Sequence, residues 1–166
     1  MKKLLKVMLL LSTILIITAC SIGDSKDEPK ISLKFDVSNL TDNEFQYVGT
    51  KELENAIKED FKNIEFTLDV KNSNAISNRK ITVPDFKKIA NSYDRNRYWF
   101  GNAYSQDNSS ENFANYGYKF VFYSNELDEQ TIKNIFNLAE AKVSWTKSDG
   151  TNEEKVFNLG DIIQFK

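Results

Sequence analysis

The chemistry open to this 166-residue chain is bounded first by two side chains: it contains no histidine and a single cysteine, Cys20. Without imidazole there is no Ser-His-Asp or Cys-His nucleophile, no HExxH zinc site and no histidine pH switch. No P-loop, GxGxxG or GxSxG pattern occurs. Carboxylates are the remaining catalytic tool, with 24 Asp and Glu. Paired acids about 5–9.5 Å apart hydrolyse glycosides. Asp107 with Glu111, and Glu153 with Glu154, supply such pairs by type, but chain spacing sets no such geometry. Asp107, Ser109 and Glu111 alternate as calcium ligands do. An EF-hand loop starting at Asp107 needs Gly at its sixth position and Glu at its twelfth, where Asn112 and Tyr118 stand. No metal site and no cofactor are expected, and the chain reads as a non-enzyme.

Binding is the better use of the side chains present. Arg97-Tyr98-Trp99-Phe100-Gly101-Asn102-Ala103-Tyr104 carries four aromatics in eight residues. As a strand it puts Tyr98, Phe100, Asn102 and Tyr104 on one face and Trp99, Gly101 and Ala103 on the other. One face must enter the core, and the other is a platform for a partner. The polar stretch from Ser105 to Asn112 follows as a solvated loop. The candidate binding surface is therefore Tyr98 and Trp99 with Asp107, Asn108 and Glu111 of that loop.

The chain opens Met1-Lys2-Lys3-Leu4-Leu5-Lys6, continues with an almost wholly apolar run from Val7 to Ile17, and reaches Thr18-Ala19-Cys20 before turning polar. This is the layout of a secretory signal: basic start, short apolar stretch, small residues at the cut. The run is short and interrupted for a spanning helix, which needs about 20 apolar residues. Ile17-Thr18-Ala19-Cys20 resembles the lipobox of bacterial lipoproteins. That resemblance implies cleavage between Ala19 and Cys20, a diacylglyceryl group on the Cys20 thiol, and attachment to the extracytoplasmic face of the cell membrane. Two acyl chains hold a protein stably on a bilayer where one does not.

The implied organisation is a signal peptide at 1–19, a flexible tether at 20–30 rich in polar residues with Gly23 and Pro29, and one domain at 31–166. Loss of Lys2, Lys3 and Lys6 with the leader turns 22 basic residues into 19 against 24 acidic, a formal −5. That balance argues against nucleic acid and against adhesion to anionic headgroups. The partners implied are the membrane, through the anchor, and an envelope or membrane protein. The abundant Asn, Lys and Ile fit an AT-rich, Gram-positive source.

The elements that must position these residues are mostly strands. Ile31, Leu33, Phe35 and Val37 alternate with polar residues, as do Ile64, Phe66, Leu68 and Val70, and Ala141, Val143 and Trp145. Ile81 and Val83 form a short strand stopped by Pro84, and 97–104, 118–123 and 155–159 complete the set, the last after an Asp149-Gly150 hairpin turn. Two helices are expected. One covers Lys51 to Phe61 behind a Thr50 cap, with Leu53, Ala56, Ile57 and Phe61 on one face. The other covers Asp128 to Ala139, with Ile132, Ile135, Phe136 and Ala139 inward and Asp128 and Glu129 suiting the helix dipole. The fold class is mainly β: an antiparallel sandwich with one or two short helices in its connections. The closing order of strand, helical crossover, Trp-bearing strand, Asp-Gly turn and strand resembles the small immunoglobulin-like domains of Gram-positive lipoproteins. The function implied is a lipid-anchored, non-catalytic domain acting by protein–protein contact; the alternatives are a glycan or cell-wall binding module and a small carboxylate-dependent glycosidase.

Overall fold

A computed structural model describes residues 27–51 and 53–166. The signal peptide, Ala19, Cys20 and most of the tether lie outside these residues. The fold is mainly β, with 46% strand against 17% helix. β1 (Lys30–Asn39), β2 (Phe61–Lys71), β4 (Tyr98–Gln106), β5 (Phe113–Tyr123) and β8 (Ile163–Phe165) form a five-stranded sheet in the order β4-β5-β2-β1-β8. β3 (Ser77–Thr82), β6 (Glu140–Thr146) and β7 (Asn152–Asn158) form a three-stranded sheet in the order β3-β6-β7. All pairings are antiparallel except the short β1–β8 contact. Four short helices lie in the connections: α1 (Asp42–Phe45), α2 (Phe86–Ala90), α3 (Glu129–Phe136) and α4 (Leu159–Ile162).

One apolar core sits between the two sheets. The alternating residues Phe35 and Val37 of β1 and Ile64, Phe66, Leu68 and Val70 of β2 face inward, with Phe120 and Phe122 of β5 beside them. Ala141, Val143 and Trp145 meet them from the second sheet. Helices α2 and α3 close the layer between. The Phe86 ring stacks on Phe35 at 5.8 Å, and Phe136 meets Phe35 edge-on at 5.1 Å, geometries that aromatic quadrupoles favour. α3 follows its sequence pattern: Ile132, Ile135 and Phe136 are buried, and the Asp128 side chain caps it by accepting from the Thr131 N–H at 2.7 Å. The β6–β7 hairpin turns at Gly150, whose φ of 88° suits glycine.

The segment Lys51 to Phe61 is not the helix its periodicity predicts. It holds turns and a single 3-10 turn at Lys58–Asp60. Asn55 is left-handed (φ 58°) and Ile57 is extended (φ −114°, ψ 168°), and each breaks an i→i−4 ladder. Thr50 does not cap a helix; its carbonyl accepts from the Leu53 N–H at 2.9 Å. Leu53 and Ala56 pack instead on a second, smaller cluster of Leu40, Val48, Phe61, Val121 and Tyr123. That cluster lies on the outer face of the five-stranded sheet and covers one end of it.

The domain also begins earlier than residue 31. The Trp145 indole N–H donates to the Asp27 carbonyl at 3.1 Å, the Ser148 hydroxyl donates to the Asp27 carboxylate at 3.1 Å, and Lys155 pairs with Glu28 at 2.8 Å. Residues 27 and 28 are thus fastened to the β6–β7 hairpin, at the edge of the three-stranded layer.

Candidate binding face

The residues singled out from the sequence do not form one surface. β4 does not alternate cleanly, because a bulge shifts its register on β5 between Tyr98 and Phe100. Tyr98 turns inward and stacks on Phe120 at 4.9 Å; burial pushes its hydroxyl pKa up. Beyond the bulge Phe100, Asn102 and Tyr104 face outward. Trp99 belongs to the outer cluster, edge-on to Phe61 at 5.9 Å and 6.1 Å from Tyr123, with its indole N–H on the Gly49 carbonyl at 3.1 Å. Tyr98 and Trp99 are therefore packing residues.

Asp107, Asn108 and Glu111 lie beyond the far end of β4, about 26 Å from Trp99 at about 3.3 Å per residue. Their loop is built around Arg79 of β3, whose side chain is only 4% exposed. The guanidinium donates to the Asp107 carboxylate at 2.5 Å and, at 3.4 Å each, to the carbonyls of Asn108 and Glu111. The Tyr116 hydroxyl takes the other Asp107 oxygen at 2.8 Å; burial, then that carboxylate, push the Tyr116 pKa up to about 12. The Asn108 side chain accepts from the Ser110 N–H at 3.1 Å, and Glu111 accepts from Gln106 at 3.1 Å. Asp107 and Glu111 are thus held by separate partners. Glu153 and Glu154 are neighbours on β7 and project to opposite faces, with Glu153 paired to Lys147 at 2.6 Å. Two Ser-x-x-Lys spacings, Ser77 to Lys80 and Ser144 to Lys147, fall on or beside strands β3 and β6. A helix is what brings residues three apart together. Among the described residues there is no group of three or more His, Cys, Asp or Glu side chains placed to hold a metal ion.

The open surface is the rest of the outer face. A hollow of about 320 Å³ is lined by Glu44, Tyr47, Asn63, Phe100, Asn102 and Lys119, among others. Tyr47 is 81% exposed, Tyr104 63% and Phe100 42%. Tyr104 lies across Gly117 of β5, where a Cβ would collide with its ring. This is a cross-strand aromatic shielding a glycine.

Glu44 organises the hollow. Thr41-Asp42-Asn43-Glu44 is a capping box that starts α1: the Glu44 carboxylate accepts from the Thr41 N–H at 2.8 Å and hydroxyl at 2.9 Å. The same carboxylate takes the Asn63 amide from β2 at 2.8 Å and Lys119 from β5 at 3.1 Å. The Thr41 backbone bond, then the Lys119 and Thr41 side chains, hold its pKa down at about 2. It is a fixed anion that pins α1 to the sheet and sets Tyr47 beside it. A larger hollow of about 630 Å³ at the β1–β8 edge is lined by Leu33, Ile162 and Ile163 together with Lys34, Asp161 and the Lys166–Asp36 pair, and by no aromatic other than the buried Phe35.

No protein-family model matches the chain, and no curated protein and no solved structure matches it either.

Proposed function

We propose that the chain is a lipid-anchored, extracytoplasmic binding domain that acts by protein–protein contact through the outer face of its five-stranded sheet. The observation that carries this reading is the exposed pair Tyr47 and Phe100 at the polar floor of Glu44, Asn63, Asn102 and Lys119, with exposed Tyr104 further along the same face over Gly117. Exposed tyrosine and phenylalanine side chains are enriched at protein contact sites. The floor is pre-ordered by four hydrogen bonds to Glu44, so little entropy is lost when a partner docks. Where the chain enters the domain it is held by the three-stranded layer, and the aromatic face is the outer face of the other layer. A tether to Cys20 would leave that face free. Two sheets enclosing one core, with the chain crossing between them four times, support the finer reading as an immunoglobulin-like sandwich.

The test is crosslinking pull-down of the anchored protein from its own membranes. Wild type is expected to capture one partner, and Tyr47→Ala to lose it by at least about tenfold, as for an aromatic hot spot. Equal capture by both would place the contact elsewhere. Fatty-acid labelling of wild type but not Cys20→Ser checks the anchor. A second reading is favoured by the same pairing of flat aromatics with amide and charged groups, which also suits a sugar ring. Tyr47-dependent sedimentation with purified cell wall, without a protein partner, would select that reading.

A further inference from the structure

Each sheet in this fold has two edges, and three of the four edges are blunted against pairing with another chain. β3 carries Arg79, Lys80 and a register shift. β7 carries Glu153, Glu154 and Lys155. β8 is three residues long and covers only Phe35 to Val37 of β1, whose edge before it carries Lys30 and Lys34. β4 is nine residues long, Tyr-Trp-Phe-Gly-Asn-Ala-Tyr-Ser-Gln, with no charge and no proline. Among the described residues it pairs with β5 alone. Only its start is covered, by the Asn91 side chain, which accepts from the Arg97 and Tyr98 N–H groups at 2.8 and 2.7 Å. From Phe100 onward its outward backbone groups face solvent.

We propose that β4 pairs antiparallel with β4 of a second copy, joining two five-stranded sheets across a two-fold axis at Asn102. The sequence of the edge is self-complementary in that register. Phe100 and Tyr104 lie two residues either side of Asn102 on the outer face, so Phe100 stands opposite Tyr104 of the other copy, twice. Aromatic cross-strand pairs are among the favourable ones. Gly101 and Ala103 oppose each other on the inner side and leave the backbones free to approach. Charge argues for the same occupant. Residues 31–166 hold 17 basic and 21 acidic side chains, a net negative charge that opposes association of two copies, and β4 offers an approach with no like charges opposed. The nearest charge, Lys119 opposite Asn102 on β5, is neutralised by Glu44 at 3.1 Å. The interface is isologous and closes at two copies. The two-fold stands perpendicular to the sheet, so both aromatic faces look the same way and merge into one platform. Self-pairing does not depend on the proposed function, since it is read from the free edge alone.

The test uses the full chain in detergent. Sedimentation of wild type should give a dimer. Asn102→Lys and Asn102→Glu, each putting like charges opposite one another at the axis, should each weaken self-association at least about tenfold. An equal mixture of the two should restore the dimer, which a folding defect could not do. Antiparallel neighbours have Cα atoms about 4.5–5.5 Å apart, inside the disulfide range of about 4.4–6.8 Å. Asn102→Cys should therefore oxidise to a covalent dimer well above the wild-type level, and Gln164→Cys on the opposite edge should not. A wild-type monomer, a dimer indifferent to charge at 102, or equal crosslinking at 102 and 164 would each overturn the proposal. If the dimer fails while Tyr47→Ala still loses the membrane partner, the proposed function stands without it.

Discussion

At the Gln106 end of β4, the loop that follows turns its polar groups inward on one buried cation. Asp107, the Asn108 carbonyl and the Glu111 carbonyl all accept from Arg79. On the outer face of the sheet, the charged groups are also paired, Glu44 with Lys119 and Asn63, but Tyr47, Phe100 and Tyr104 are left in water. From the sequence, Tyr98 and Trp99 of the strand and Asp107, Asn108 and Glu111 of the loop looked like one binding surface, with the strand's other aromatic face in the core. The structure separates the two by what each polar group already has as a partner. A long polar loop whose acceptors are occupied is structure, whereas an aromatic beside a satisfied, rigid floor has nothing yet to pack on.

The largest way to break this comparison is Asp107→Ala. It leaves the Arg79 charge buried without its carboxylate, and removing one partner of a buried pair costs about 3 kcal/mol or more. A fall of about 6–12 °C in thermal midpoint is expected for a chain of this size. Arg79→Met should cost less, because it removes the buried charge together with its need for a partner. An unchanged midpoint in Asp107→Ala would return the loop to the candidate binding elements.

An intermediate effect is expected at Glu44. Glu44→Gln removes the charged member of the capping box and its bond to Lys119, at a cost of about 1 kcal/mol. The pH dependence has a definite sign. The Glu44 pKa of about 2 lies below its ordinary 4.5, so its stabilisation is complete above about 4.5 and is lost as pH falls toward 2. Wild type should lose stability across that interval relative to Glu44→Gln, in urea titrations at each pH. Parallel curves for the two proteins would mean that the carboxylate does not hold the floor.

Much of the fold is legible in the sequence where one face of an element is buried. The period of two in β1, β2 and β6, the Asp-Gly turn, and Ile132, Ile135 and Phe136 on α3 all follow from that. Reading fails where tertiary contacts override a pattern. The apolar spacing from Leu53 to Phe61 is real, but it serves a turn packed on the outer cluster, and left-handed Asn55 breaks the helix. The bulge at Trp99 is hidden because an unbroken aromatic run has no alternation to lose. Of the open face, Phe100, Asn102 and Tyr104 were legible as one side of the aromatic run and Glu44 had a signal in Thr41-Asp42-Asn43-Glu44, whereas Tyr47, Asn63 and Lys119 had none. Arg79 and Asp107, 28 residues apart, had none.

The smallest expected effect carries the most weight for function. Tyr47 keeps its fold contribution in its backbone, whose N–H donates to the Glu44 carbonyl at 3.1 Å, while its ring is 81% exposed. Tyr47→Ala should therefore change folding stability by no more than about 0.5 kcal/mol, against about 3 kcal/mol for Asp107→Ala. Thermal melting of the two variants side by side measures this directly. If Tyr47→Ala melts with wild type yet loses its partner, the ring is kept for contact and not for folding. If it melts several degrees lower, Tyr47 packs more closely than its exposure implies, and the contrast between the loop and the outer face collapses.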